Sequence, residues 1–195
     1  MKKVRRPGVT TIWIYAPGLI TDQGFSDAAM EQLTGLKLQF QEQQRPMEMK
    51  FDDGAVLKDM SELKPVAVAP TVIGQDPDAR ILARYPDGAV AMLCRQRPDG
   101  SASLWSGVPL KSTRAWTRIF DLARVHRYVP EGTVFHRQGN LLLLHTGKAA
   151  AIPVTLDRRY RRATELYTGK ILGADTDRLN LKSDGPATWF IELEN

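Results

Sequence analysis

TTIWIYAPGLITDQGFS, residues 10–26, decides the fold that the sequence predicts. Residues 9–15 are almost continuously apolar and rich in β-branched and aromatic side chains, which is typical of a strand buried on both faces. Pro17 and Gly18 follow as a turn. We therefore expect this strand to lie inside the sheet of an α/β layer.

A short helix and several strands are predicted after this turn. Ser26 is placed to cap a helix that ends at Gly35. Alternating apolar residues predict a half-buried strand over residues 36–41, and the proline-bounded run PVAVAP predicts a short strand over residues 65–70. A meander of three strands separated by Pro-Asp-Gly turns follows: RILARY (80–85), VAMLCRQ (90–96) and ASLWSGVPL (102–110).

The pattern changes after a second predicted helix. Ser112 is placed to cap a helix over residues 113–127, whose spacing predicts a buried face made of Trp116, Ile119, Phe120 and Ala123. From Val129 onward, strand-like runs recur without a helical period, which predicts a small antiparallel β-sandwich. We expect α/β followed by all-β, with domains over residues 1–128 and 129–195.

Composition is that of an ordinary folded protein. The chain has 195 residues, is 43% hydrophobic and carries a net charge of +5, which favours acidic surfaces without identifying nucleic acid. Cys94 is the single cysteine, so an internal disulfide and a multi-cysteine metal site are excluded. The start MKKVRR resembles the basic region of a signal peptide, but no cleavage site follows and no run approaches the roughly 20 apolar residues of a membrane span. We expect a soluble chain, and no compartment is assigned.

The order of these segments resembles the C-terminal region of β-galactosidase-like glycoside hydrolases. The segments that carry the resemblance are the apolar strand with its YAPG turn, ILARYPDGAVAMLCRQRPDGSASLWSGVPL with the following helix, NLLLLHTGKAAAIPVTL, ATELYTGK and PATWFIELE. They cover nearly the whole chain. In that family a catalytic barrel precedes a glutamine-amidotransferase-like, flavodoxin-type trimerisation domain, and a small β-sandwich comes last.

The resemblance implies that residues 1–128 are the last part of a flavodoxin-like layer and that residues 129–195 are the trailing sandwich. The chain is then expected to be a fragment or short relative that lacks the barrel and serves as a noncatalytic accessory and oligomerisation region. An independent carbohydrate-binding module is the alternative, and an enzyme with an unrecognised site is a third hypothesis. Expected partners are further copies of the chain or N-terminal domains of a parent protein, and carbohydrate, but neither nucleic acid nor a membrane.

No catalytic residue is predicted. Glycoside hydrolysis needs two carboxylates that face each other across a sugar ring, whereas Asp52, Asp53, Asp76 and Asp78 lie in predicted loops. Cys94 lies within a strand and lacks the sharp strand-to-helix turn that supports thiol chemistry, so we expect a structural thiol. The sequence contains no phosphate-binding loop, and we expect no cofactor.

The histidines do not have the spacing of a metal site. His126, His136 and His145 are separated by ten and nine residues, whereas metal ligands usually include a close pair. A hairpin could make His136 and His145 cross-strand neighbours, which leaves a fortuitous pair open. We predict no metal ligands.

An arginine cluster is a candidate binding surface. Four arginines flank Tyr160: Arg158, Arg159, Arg161 and Arg162. Arginines beside an aromatic ring can bind a phosphate backbone. Alternation along a strand would divide these residues between two faces, so we expect a solvated or subunit-contact patch.

The tryptophans are candidates for sugar stacking. Trp13, Trp105, Trp116 and Trp189 each lie in an apolar run that is typical of a core. Since Trp189 and Phe190 are adjacent on a predicted strand, one of the two should face outward and offer a sugar contact.

Overall fold

The computed structural model describes residues 6–52, 61–62 and 66–195. It divides into two compact units, of which one ends at Arg124 and the other runs from Val125 to Asn195. Strands account for 51% of the described residues, which also include two short helices. The protein is therefore mostly β, with several sheets.

The first unit consists of short strands and two helices. In chain order these are β1 (Thr10–Ile14), β2 (Ile20–Thr21), β3 (Gly24–Phe25), α1 (Asp27–Thr34), β4 (Leu38–Gln41), β5 (Arg45–Pro46), β6 (Met49–Phe51), β7 (Ser61–Glu62), β8 (Ala67–Val68), β9 (Thr71–Gly74), β10 (Arg80–Arg84), β11 (Val90–Gln96), β12 (Ala102–Ser106) and α2 (Thr113–Leu122).

Six of these strands form the main sheet, in the order β1-β12-β11-β10-β6-β7. The predicted meander β10-β11-β12 is present as antiparallel pairs. β1 runs parallel to β12, with Thr10 beside Ala102 and Ile14 beside Ser106. This is the one parallel pair among the described strands, so the flavodoxin-like layer stays a prediction.

β1 does not have the predicted burial. It lies at the edge of the sheet, where β12 is its single hydrogen-bonded neighbour among the described strands. Because an edge position leaves one side open, its side chains are half-buried or exposed, with Ile14 37% and the preceding Val9 45% exposed. The prediction of a strand buried on both faces is therefore wrong.

Both predicted helix caps are present. The Ser26 hydroxyl accepts a hydrogen bond from the backbone N–H of Ala29 at 3.1 Å, and Gly35 ends α1 in the left-handed conformation at φ 68°. The Ser112 hydroxyl accepts from the backbone N–H of Ala115 at 3.0 Å. α2 ends five residues before the predicted end, because Arg124 adopts φ 55° and takes the backbone out of the helical path.

The two helices pack on opposite faces of the main sheet. Adjacent residues of β12 point to opposite sides, so Leu104 joins the core that contains Ile119 of α2. Trp105 joins the core that contains Met30 of α1. The predicted inner face of α2 is only partly right: Ile119 is fully buried, Trp116 is half-buried and Phe120 is 36% exposed.

The second unit is one antiparallel sheet. Its strands are β13 (Val134–Gln138), β14 (Leu141–Thr146), β15 (Ala150–Glu165), β16 (Ile171–Ser183) and β17 (Ala187–Glu194), in the order β13-β14-β17-β15-β16. The predicted strand AAIPVTL and the first four residues of RATELYTG lie in β15, whereas residues 166–169 lie in the turn to β16. The register of β15 with β16 shifts between Thr155 and Tyr160. Buried residues of β14, β15, β16 and β17 form a single core, which fits the predicted all-β unit.

No helix in the described part of the chain is long and apolar enough to cross a lipid bilayer.

Truncation of Trp105 should destabilise the first unit more than any other tryptophan truncation there. Its ring is fully buried, and its indole N–H donates to the Tyr15 carbonyl at 2.7 Å. We expect Trp105→Ala to lower the free energy of unfolding by about 3 to 5 kcal/mol. The matched variant Trp116→Ala should cost less, because that ring is half-buried. Urea denaturation followed by circular dichroism measures both, and equal midpoints for the two variants would contradict the packing.

Candidate functional site

A groove with a volume of about 460 Å³ lies in the second unit, beside the turn that joins β15 to β16. Its walls come from this turn, from β16 and from the start of β17. The lining residues are Glu165, Tyr167, Thr168, Lys170, Leu172, Asn180, Leu181, Lys182, Thr188 and Trp189. The volume lies in the range that small-molecule sites occupy.

Two aromatic side chains contribute to the groove. Tyr167 projects from the turn and is 72% exposed, which is unusual for a large aromatic ring. Trp189 is half-buried and packs against the core of the unit. Phe190 is also half-buried and lies 6.4 Å from Tyr167, centroid to centroid. The tryptophan therefore lines the groove without being fully exposed.

Glu165 holds the turn in place. Its carboxylate accepts hydrogen bonds from the Thr168 hydroxyl at 2.6 Å, the Thr168 backbone N–H at 2.8 Å and the Tyr167 backbone N–H at 3.1 Å. The Thr168 hydroxyl and the turn amides hold the pKa of Glu165 below its ordinary value. This carboxylate therefore remains ionised at neutral pH and is occupied by its own turn.

The remaining polar lining is cationic or neutral. Lys170 and Lys182 are exposed, and neither ammonium group forms an ion pair with another described residue. Asn180 offers an amide group and Thr188 a hydroxyl, which is held by His145 Nδ1 at 2.9 Å. The groove therefore combines exposed cations, hydrogen-bonding groups and aromatic rings.

Of the acidic residues considered for catalysis, the three that the structure describes each lie beside an arginine. Asp76 is buried and pairs with Arg95 at 3.1 Å, and Asp78 pairs with the same guanidinium at 2.9 Å. Asp52 lies 3.6 Å from Arg84. Asp53 lies outside the described residues. The carboxylates of Asp52, Asp76 and Asp78 therefore neutralise neighbouring arginines.

Cys94 lies on β11 and is half-buried. Burial raises the pKa of its thiol in spite of the nearby Arg80 and Arg97. A thiol with a raised pKa is largely protonated at neutral pH and is a weak nucleophile.

The histidines have separate partners. The register of β13 and β14 places His145 opposite Val134, and His136 opposite Leu143, so the two rings are not direct cross-strand neighbours. His126 Nε2 lies 2.8 Å from the Thr155 carbonyl oxygen. Within the described ranges, no three metal-ligating side chains come together.

Carboxylates and an aromatic ring engage the arginine cluster. Arg159 pairs with Asp175 at 3.2 Å, and both Arg161 and Arg162 pair with Glu194. Arg158 lies over the Tyr160 ring, 5.0 Å from its centroid. Two carboxylates, those of Asp175 and Glu194, therefore pair with three of the four guanidinium groups, and Arg158 contacts an aromatic ring instead.

Known proteins provide a match to the fold. No protein-family model and no curated protein matches the sequence. The crystal structure of β-galactosidase from Bacillus circulans sp. alkalophilus matches with a TM-score of 0.62 over 98% of this chain and 30% of that chain, at 13% identity. The polyextremophilic β-galactosidase from the Antarctic haloarchaeon Halorubrum lacusprofundi matches with a TM-score of 0.53 over 94% and 27%, at 11% identity.

The chain has a β-galactosidase-like fold. At these identities the likeness concerns the fold alone. The chain spans less than a third of the length of either enzyme. Similarity to part of a β-galactosidase chain is therefore established, whereas activity and partners are not.

The sequence does not predict the groove as a site. In the run ELYTGK, Gly169 is a residue typical of turns, and Glu165 lies three residues before Thr168. The strand predicted over RATELYTG includes residues 166–169, which lie in the turn of the structure. Asn180, Lys182 and Thr188 join the turn only through the pairing of distant strands, which no local pattern shows.

Replacement of Glu165 by glutamine should remove a pH-dependent stabilisation. The folded-state pKa is lower than the ordinary value of about 4.3, so the carboxylate stabilises the folded state fully above that value and loses its contribution as the pH falls through the folded-state pKa. Thermal melts should show the largest difference between wild type and Glu165→Gln near neutral pH, and convergence in acid. The exposed Glu131→Gln is the control, and a pH-independent difference for Glu165→Gln would contradict the expected role.

Proposed function

We propose that this chain is a noncatalytic accessory and oligomerisation region of a glycoside-hydrolase-like protein of the β-galactosidase type. The observation that carries the proposal is the match of 98% of the chain to 30% of a β-galactosidase chain. In this proposal the first unit corresponds to the last part of the flavodoxin-type trimerisation domain. The second unit corresponds to the trailing β-sandwich, and the catalytic barrel belongs to other parts of such a protein.

The environment of the acidic side chains supports a noncatalytic role. A glycosidase needs one carboxyl group that donates a proton and a second that acts as base or nucleophile, separated by about 5 to 9.5 Å. Asp76 and Asp78 share one arginine, and Glu165 is hydrogen-bonded to its own turn. Each of these three carboxylates is therefore already engaged by a neighbouring group of the protein.

The edge of β1 that no other described strand covers supports self-association. An unpaired strand edge presents backbone donors and acceptors that recruit other chains. The exposed Ile14 ends this strand, and the hairpin that follows pairs Ile20 with Phe25, which are 79% and 60% exposed. A two-fold contact with a second copy, the commonest oligomer symmetry, would cover these exposed apolar side chains.

Carbohydrate binding is a second candidate function, which the groove beside the β15–β16 turn favours. An exposed tyrosine, a tryptophan and several hydroxyl and amide groups line it. Aromatic rings with an apolar face and adjacent hydrogen-bonding groups suit sugar rings, which are apolar on their faces and polar at their rims.

Light scattering at micromolar concentration tests the oligomerisation role. We expect the mass of a dimer or higher oligomer for the wild-type chain, and a monomer for Ile14→Lys combined with Ile20→Lys, because two buried charges oppose the contact. Ile171→Lys, an exposed isoleucine of the second unit, is the matched control and should leave the mass unchanged. A wild-type monomer would contradict the proposal.

A panel of chromogenic glycosides tests the noncatalytic role. We expect turnover by the purified chain to equal the buffer rate. Turnover that persists through repurification and is lost in Asp76→Asn or Asp78→Asn would show that the chain is an enzyme.

A further inference from the structure

We propose that the groove of the second unit binds a short acidic oligosaccharide, one whose sugar rings carry carboxylate or sulfate groups. This inference rests on the carbohydrate binding proposed above and adds the charge of the ligand. It assigns the aromatic side chains to the sugar rings and the two lysines to the anionic groups.

The single carboxylate among the lining residues of the groove is that of Glu165, and the turn already engages it. Glu165 is 5% exposed, and its carboxylate already accepts three hydrogen bonds from the turn that it braces. Lys170 and Lys182 are exposed and have no carboxylate partner among the described residues. The charged groups that remain available to a ligand are therefore the two lysine ammonium groups, and an anionic ligand complements them.

Tyr167 provides the more exposed of the two aromatic rings that line the groove. A ring that is 72% exposed at a turn is costly to leave in water and gains from an apolar partner. Because Glu165 accepts a hydrogen bond from the N–H of Tyr167, the backbone from which the ring projects is already held at the groove. Such preorganisation lowers the entropy cost of binding. Trp189 contributes a second, less exposed aromatic surface.

The remaining groups favour a polyhydroxy ligand over an acidic peptide. The Asn180 amide can both donate and accept hydrogen bonds. The Thr188 hydroxyl lies 2.9 Å from His145 Nδ1 and keeps a lone pair for a ligand, whereas the Thr168 hydroxyl already donates its proton to Glu165. A sugar presents hydroxyls around the ring, each of which can donate to or accept from such groups.

The shape of the groove favours an oligosaccharide segment over a single enclosed sugar. Tyr167, Lys170, Asn180, Lys182 and Thr188 are all exposed, so the ligand is reached from the side and its chain can continue beyond the groove. A volume of about 460 Å³ is enough to hold part of a short oligosaccharide.

Isothermal titration calorimetry with matched trisaccharides tests the inference. Trigalacturonic acid and galactotriose of the same linkage differ in the carboxylates, and a sulfated galactotriose distinguishes the two anionic sources. We expect the wild-type chain to bind at least one anionic trisaccharide about tenfold more tightly than galactotriose, and this preference should decline with added salt. The combined Lys170→Gln and Lys182→Gln variant should lose the preference, whereas Lys148→Gln, an exposed lysine outside the groove, should keep it.

The other outcomes separate the two levels of the proposal. Equal affinity for neutral and anionic trisaccharides, lost in Tyr167→Ala, would overturn the acidic ligand and leave carbohydrate binding intact. No binding of any trisaccharide would overturn both. Hexaglutamate that binds as tightly as the anionic trisaccharides, with the same dependence on Tyr167, would identify the groove as a peptide site and also overturn both. Because the matched ligands are compared on the wild-type chain, the result does not depend on the stability of a variant.

Discussion

The parallel pairing of β1 with β12 is the interaction on which the first unit depends. Tyr15 closes it: its N–H donates to the Ser106 carbonyl at 2.7 Å, and its carbonyl accepts from the Trp105 indole at 2.7 Å. Tyr15 adopts φ 63°, a conformation that costs a non-glycine residue about 1 to 3 kcal/mol. Both hydrogen bonds offset that cost, and they bring the end of the strand onto the fully buried tryptophan around which one of the two cores packs.

The same pairing explains why the two faces of the main sheet have different cores. β12 is fully buried, so its alternating residues separate the α1 side from the α2 side. A strand buried on both faces was expected in this unit, and the burial belongs to β12 rather than to β1. Its sequence, ASLWS, contains two serines, whose hydroxyls donate to the Thr34 and Val108 carbonyls. Apolar content alone therefore predicted full burial for β1, whereas the fully buried strand is its partner β12.

Local signals predicted local structure well, and pairing between distant strands was beyond them. Ser26, Gly35 and Ser112 act through hydrogen bonds within four residues, so their roles follow from the sequence. The edge position of β1 depends on which strands pair, and the length of β15 depends on partners that support it through a register shift. The groove was missed for the same reason, because its lining comes from segments separated by up to 24 residues, from Glu165 to Trp189.

The groove depends on β15, although most of that strand lies outside it. β16 and β17 both line the groove, yet they are hydrogen-bonded to β15 rather than to each other. The register shift before Tyr160 changes the course of β15, and the Tyr160 hydroxyl fixes this point by donating to Asp157 and accepting from Arg137, each at 3.0 Å. β15 contributes only Glu165 to the groove, yet it lies between β16 and β17, the two strands that form the walls.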